Sequence, residues 1–191
     1  MSGCVGVQLD PGRYGPVGEE VACVPGEPTP AEGTEAVQIV FTAQAMQSLP
    51  IDPGTLTMQP DRGNVLINID TVAYTDAVPQ TFETAVLGVP VTVRVWPVEY
   101  TWDWGDGTVF TTTDPGAPWP QYTVGHTYLR ATAEGETRTI TVTTSWHGDF
   151  SVAGGPPQPV DGTAITTATS PAFEVITAST SLTTGEEIGQ G

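Results

Sequence analysis

Lysine is absent from this chain of 191 residues, and its five basic residues other than histidine are all arginines. Without lysine the chain cannot form Lys–Asn or Lys–Asp isopeptide crosslinks, accept a sortase-type pilin linkage at lysine, or use Schiff-base catalysis. Five arginines against 22 acidic residues give a net charge of −17. This balance disfavours nucleic acids and anionic membranes as partners, because phosphate binding depends on clustered basic residues.

The acidity has three possible meanings: solubility outside the cell, a dedicated Ca²⁺-binding surface, or adaptation to high salt. Charged residues make up only 14% of the chain, which is low for a protein adapted to saturating salt. We therefore interpret the acidity as solubility outside the cell.

Only two cysteines are present, Cys4 and Cys23, and they flank a segment rich in glycine and proline. In a secreted chain this spacing predicts one disulfide, which stabilises the fold by roughly 3 kcal/mol in the loop-entropy estimate. A metal site is disfavoured because there is no nearby histidine. Reactive thiols are disfavoured as well, since Glu19 and Glu20 make the surroundings acidic.

The sequence contains no run of about twenty apolar residues, so it predicts no membrane-spanning helix. Its first four residues also lack the basic start and the apolar core of a signal peptide. We expect an extracellular or cell-surface location, which requires a leader that this sequence does not show or an anchor elsewhere.

Glycine and proline are abundant, with 22 and 18 copies, and threonine, valine and isoleucine recur in short runs. This composition predicts a mostly β fold with many turns. We expect an irregular arm pinned by the disulfide at residues 1–33, and a short helix with a strand at 34–63. An antiparallel β-sandwich at 64–155 follows, and then Thr-rich strands and a disordered tail at 156–191.

The predicted helix begins after Thr34 as N-cap and ends before Pro50. One apolar stripe runs along it, formed by Val37, Phe41, Ala45 and Leu49. Strand alternation over residues 37–41 is the competing interpretation.

Alternation and turn residues predict the strands. Strands are expected at 56–59 and 65–74, and a long stretch at 81–95 is expected to bend at Gly88. Pro97 should end that stretch, and the next strand covers 98–104 and is followed by one at 109–113. Residues 136–146 and 149–152 should form a hairpin through His147-Gly148. Residues 164–169 and 173–178 either add strands to the sheets or continue as a tail.

One stretch organises the predicted sandwich: Tyr100-Thr101-Trp102-Asp103-Trp104-Gly105-Asp106-Gly107-Thr108, followed later by His126-Thr127-Tyr128. Its three large aromatic residues alternate along one strand and therefore share one face. The Gly-Asp-Gly sequence is typical of a tight hairpin turn. Three large rings on one face require a second layer to cover them, as in a two-sheet sandwich.

These two motifs, in this order, resemble the signature of the PKD domain, and the resemblance covers residues 64–153. It implies an Ig-like β-sandwich of the kind found in surface and secreted proteins. The whole layout resembles secreted PKD-containing proteins of high-GC bacteria that have no assigned activity. In that family the first aspartate braces the turn and the histidine is structural, and Tyr128 is expected to hydrogen-bond backbone and tie the sheets together. The insertion at residues 109–125 is longer than the family usually carries.

Two kinds of ligand site are candidates. Asp103, Asp106 and Asp114 lie near the signature turn, where they either brace the backbone or bind Ca²⁺ through oxygen ligands. Trp96 precedes a proline at a strand end, and Trp119 lies between two prolines. Either tryptophan could stack on a sugar ring or anchor a protein partner, whereas the alternative for Trp119 is that its loop folds back onto the sandwich.

No set of nucleophile, base and orienting residue is recognisable, and no pair of carboxylates is singled out for glycoside hydrolysis. We therefore expect a non-catalytic module without a resident cofactor, with Ca²⁺ at Asp103, Asp106 and Asp114 as the alternative. Three functions stay open at this point. The module mediates adhesion or structural contacts with proteins or cell-wall glycans, binds carbohydrate through its loop tryptophans, or assembles with copies of itself by β-augmentation.

Overall fold

The computed structural model describes residues 39–178 of the chain. This part contains a short helix, α1 (Ala43–Gln47), and eleven strands. The strands are β1 (Leu56–Gln59), β2 (Asn64–Leu66), β3 (Asp70–Thr75), β4 (Gln80–Val86), β5 (Val89–Asp103), β6 (Val109–Thr112), β7 (Gly125–Thr127), β8 (Thr141–Val152), β9 (Gln158–Pro159), β10 (Ala164–Thr169) and β11 (Glu174–Ile176).

The strands form two antiparallel sheets and one parallel pair. The larger sheet has the order β10-β8-β5-β4, with β6 also paired to β5 and β9 to β8. The smaller sheet has the order β1-β3-β7, and β2 pairs in parallel with β11. Buried residues of the two antiparallel sheets pack in one cluster, which makes the arrangement sandwich-like. The predicted mostly β, antiparallel fold is confirmed.

Sheet pairing crosses both limits of the predicted sandwich. Strand β1, which precedes residue 64, pairs with β3, and β10, which follows residue 155, pairs with β8. The Thr-rich strands β10 and β11 thus belong to sheets of this chain. Four predicted features lie outside the described residues: the arm at 1–33, the Cys4–Cys23 disulfide, the helix start at Thr34 and the disordered tail at 183–191.

Strand β5 runs unbroken through Pro97, so the predicted strand end there is wrong. Two features accommodate the proline. The pairing of β5 with β8 shifts by one residue between Pro97 and Glu99, which is a β-bulge. In addition, β4 pairs with β5 only as far as Val95, and β6 pairs with it only from Tyr100 onward. The missing N–H of Pro97 therefore lies in a gap between two neighbouring strands.

The bulge keeps the buried side chains of β5 on one face. Before it, the odd-numbered residues Val91, Val93 and Val95 are fully buried, and after it the even-numbered Tyr100 and Trp102 are buried. In a regular strand these two sets would lie on opposite faces. One extra residue restores the alignment with β8.

Strand β8 is also continuous, and the predicted hairpin through His147-Gly148 is wrong. Gly148 is buried in the middle of the strand, where an added Cβ would lie 2.7 Å from Met46 Sδ and 3.0 Å from the carbonyl oxygen of Arg94. This glycine therefore allows close packing of α1 against the sheet.

Two other predicted strands are each divided. The stretch at 81–95 is a hairpin, because Leu87 and Gly88 both have positive φ, 52° and 80°, as a tight two-residue turn requires. The predicted bend at Gly88 is thus a complete reversal of the chain. Residues 65–74 are interrupted at Asn68, which has a φ of 59°, and form the separate strands β2 and β3.

Two hydrophobic clusters lie against the larger sheet. The first joins the sheets and contains the signature aromatics. The second is covered by residues 41–51, where Phe41 packs against Phe150 with ring centroids 5.9 Å apart. Within this segment α1 begins after Thr42, whose hydroxyl accepts from the backbone N–H of Ala45 at 3.2 Å.

Candidate functional site

The signature ribbon contributes its rings to the interior. Trp102 and Trp104 are both fully buried, with ring centroids 6.4 Å apart. Tyr100 is buried on the same face. Trp102 lies directly opposite Val142 on β8 and Phe110 on β6. These tryptophans therefore contribute to packing and are not exposed for ligand binding.

The turn after the ribbon is held by two aspartates. Asp103 Oδ1 accepts from the backbone N–H of Gly105, and Asp106 Oδ1 accepts from that of Thr108, each at 2.9 Å. Gly105 and Gly107 have φ of 71° and 93°. At Gly105 an added Cβ would lie 2.6 Å from the carbonyl oxygen of Thr139, so no larger residue fits.

His126 joins this turn to strand β7. Its Nε2 lies 2.8 Å from Asp106 Oδ2, and its ring stacks on Trp104 at 5.1 Å between centroids. Burial raises the pKa of Asp106, but the Thr108 N–H and the His126 ring outweigh burial, so this pKa is lowered overall. The same histidine contacts Tyr128 edge-on at 4.7 Å.

Tyr128 ties the second motif to the first. Its hydroxyl donates to the backbone carbonyl of Trp104 at 2.8 Å, and the side chain is 1% exposed. Burial, reinforced by the charge of Asp106, raises the pKa of Tyr128 far above its ordinary value. The hydroxyl thus remains protonated and donates at any physiological pH.

The three aspartates proposed for Ca²⁺ each bind backbone locally. Asp114 Oδ1 accepts from the N–H of Gly116 at 2.9 Å, in the same manner as Asp103 and Asp106 in their own turns. Across residues 39–178 no three His, Cys, Asp or Glu side chains are grouped so that they could hold a metal ion. Calcium binding at these residues stays a prediction.

Trp96 lies in a cleft on the outer face of the larger sheet. It pairs across the sheet with His147, and the chain at residues 157–163 forms the opposite wall. The cleft encloses about 480 Å³, and its polar groups come from His147, Asp149, Asp161 and Thr163. Asp149 is held in place by Arg94, whose Nε and Nη2 donate to its two oxygens at 2.9 and 2.5 Å.

Trp119 lies elsewhere, on the loop after β6. It is 67% exposed, so this loop does not bury it against the sandwich. Its ring stacks on Tyr122 at 5.8 Å between centroids, and its backbone N–H donates to Gln59 Oε1 at 2.8 Å. Trp96 and Trp119 do not line a common cleft.

Sequence reasoning named Trp96 but missed the residues around it. His147 was predicted to lie in a turn and Asp149 to begin the next strand, whereas both lie on one continuous strand beside β5. The alternation along β5 predicts Thr92 and Arg94 on its outward face, and Trp96 continues the same alternation. No local pattern indicated the far wall, since residues 157–163 reach the cleft only through the pairing of β9 with β8.

Comparison with known proteins adds no relative: no family model, no curated protein and no solved structure matches the chain. The resemblance to the PKD domain therefore depends on the two motifs themselves. In residues 39–178 no helix has the length and apolar character needed to cross a membrane.

Proposed function

We propose that this protein is a non-catalytic module of the PKD type, located outside the cell or at its surface, which binds a cell-wall glycan. The two motifs and the acidic, lysine-free composition support the family and the location. The cleft beside Trp96 supports the ligand class, and it is the observation on which the proposal rests.

The lining of this cleft suits a sugar ring. An indole face packs against the C–H groups of a pyranose, and Pro157 and Pro159 add apolar surface. Asp149 and Asp161 provide acceptors for hydroxyl groups, and His147 is exposed at the same place. Because Arg94 already fixes Asp149, its carboxylate needs little reordering when a ligand binds. A few directional polar groups around an apolar floor are typical of small-ligand sites.

The proposal of a non-catalytic role is supported by how His126 and Asp149 are engaged. His126 is held by Asp106 and by two aromatic rings, so it is poorly placed to accept a substrate proton. Both oxygens of Asp149 accept hydrogen bonds from Arg94, so this carboxylate is already engaged within the fold.

Titration calorimetry with soluble oligosaccharides prepared from bacterial cell walls tests the proposal. We expect Trp96→Ala to weaken binding roughly fivefold, because loss of aromatic stacking costs about 1 kcal/mol. Trp119→Ala is the matched control, since it removes the same side chain from a surface outside the cleft. Thermal unfolding of both variants verifies that they are folded.

Equal affinity of wild type and Trp96→Ala for every oligosaccharide bound would refute the cleft as the binding site. Analysis of the same mixtures by mass spectrometry tests the non-catalytic part. Release of shorter sugars by pure protein contradicts it.

A second candidate is the exposed pair of Trp119 and Tyr122, which suits a protein or glycan partner. Tyr122 is fixed because its hydroxyl donates to Asp70 at 2.7 Å, and Trp119 stacks on it. A large exposed ring that is held in place is typical of binding hot spots. If Trp119→Ala abolishes binding while Trp96→Ala retains it, this surface is the site.

A further inference from the structure

A pocket beside the signature turn contains an unusual share of the positive charge of this chain. It encloses about 430 Å³ next to β7. Four of the five arginines lie within residues 39–178, and two of these, Arg130 and Arg138, line this pocket together with His126. The remaining wall is formed by Asp106, Thr108, Thr127, Tyr128 and Leu129. We call this site the arginine pocket.

Among the described residues, Arg130 and Arg138 have no acidic partner. The ion pairs within residues 39–178 are Arg94–Asp149 and His126–Asp106. Neither Arg130 nor Arg138 has a carboxylate of this part of the chain within ion-pair distance.

The acidic residue inside the pocket is already engaged. Asp106 uses one oxygen for the N–H of Thr108 and the other for His126. One oxygen of Asp106 is thus directed to the turn and the other to His126. The two guanidinium groups keep their remaining N–H donors for another acceptor.

Arg138 is held in a defined orientation. Its Nη1 donates to the carbonyl oxygen of Gly105, while its Nε is buried without a partner among the described residues. This contact fixes the plane of the guanidinium, so its other N–H donors need little reordering to bind an acceptor. The planar guanidinium binds carboxylates and phosphates through two parallel hydrogen bonds.

We propose that the arginine pocket binds a carboxylate group of a ligand, between Arg130 and Arg138. A carboxylate is planar, so both of its oxygens can lie in the plane of a guanidinium group, and phosphate is the competing ligand. The proposal is independent of the Trp96 cleft, since the two sites share no residue.

Titration of the ¹⁵N-labelled full chain with sodium acetate, followed by NMR at constant ionic strength, tests this proposal. We expect saturable shifts of the Arg138 Nε–H signal and of the backbone amides of residues 126–130. Acetamide, which has the same shape without the charge, should give no saturable shift. Arg130→Gln should weaken acetate binding roughly tenfold, as expected for loss of a charge-assisted hydrogen bond.

Arg62→Gln is the matched control, because it removes one exposed arginine outside the pocket and should leave acetate binding unchanged. Arg130→Gln is chosen over a change at Arg138 because Arg130 makes no hydrogen bond to the described fold, so the variant keeps the turn intact. Absence of saturation with acetate, or equal shifts in Arg130→Gln, overturns the proposal. Phosphate binding as tight as acetate binding overturns the assignment to carboxylates.

Discussion

The hydroxyl of Tyr128 offers a sharp test of how the two signature motifs stabilise the fold. Tyr128→Phe removes one oxygen atom and leaves the ring, which also packs against Phe173 at 5.8 Å. The change deletes the hydrogen bond to the Trp104 carbonyl, a group for which the described residues provide no second partner. A buried hydrogen bond contributes about 1 kcal/mol, and an orphaned buried carbonyl costs about 1–3 kcal/mol.

We therefore expect Tyr128→Phe to lower the free energy of unfolding by about 2 kcal/mol, which corresponds to a fall in Tm of about 4–8 °C for a chain of this size. Urea unfolding monitored by tryptophan fluorescence measures the change, because Trp102 and Trp104 are buried beside this bond. The m-value, which is the slope of the unfolding free energy against urea concentration, should stay constant because unfolding exposes the same surface area.

Tyr122→Phe is the matched control. It also removes a phenolic hydroxyl, but this hydroxyl bonds to the exposed Asp70 and leaves no buried group unpaired. We expect it to cost less than about 1 kcal/mol. If Tyr128→Phe costs no more than Tyr122→Phe, the carbonyl of Trp104 finds another partner and the reasoning is wrong.

Two further predictions concern packing and pH. Gly148→Ala should destabilise the protein by about 1–3 kcal/mol, because the new Cβ would lie 2.7 Å from Met46 Sδ and 3.0 Å from the Arg94 carbonyl oxygen; a urea midpoint equal to that of the wild type would contradict this packing. Stability should fall as pH drops from about 5 through the ordinary aspartate pKa of 3.8, because folding lowers the pKa of Asp106 and of Asp70, the latter mainly through the Thr127 and Tyr122 hydroxyls. Because the folded-state pKa of each group lies below its unfolded value, this stabilisation is fully present above the unfolded pKa. It is lost as the pH falls through the folded-state pKa. Urea midpoints at pH 7, 5 and 3 measure this loss of stability, which should be smaller in Asp106→Asn. An equal loss in this variant would contradict the role of Asp106 in the pH dependence.

Local patterns predicted much of this structure because the features concerned depend on neighbouring residues. Alternation indicated the buried face of Tyr100 and Trp102, and the Asp-Gly sequence indicated the turn that Asp106 braces. The backbone bond of Tyr128 followed from the resemblance of the second motif to a known family. None of these inferences requires knowledge of which strands become neighbours.

The wrong predictions concern residues whose conformation depends on distant partners. Pro97 usually ends a strand, but here it lies where neither β4 nor β6 pairs with β5. Gly148 usually indicates a turn, but Met46 packs against its bare backbone from over one hundred residues away. The arginine pocket was missed for the same reason, because Arg130 and Arg138 belong to no motif and meet only through the fold.

The bulge at Val98 connects the core of this protein with its candidate cleft. Trp96, Tyr100 and Trp102 all have even numbers, so a regular strand would direct all three side chains to the same face. The extra residue changes the alternation, so that Tyr100 and Trp102 enter the core while Trp96 lies opposite the exposed His147 on the outer face. The same residue aligns Val91, Val93 and Val95 with the second hydrophobic cluster. Because of this single irregularity, β5 contributes buried side chains to both hydrophobic clusters while Trp96 lies on the outer face. The bulge therefore explains how a large tryptophan on a central strand comes to line the candidate cleft.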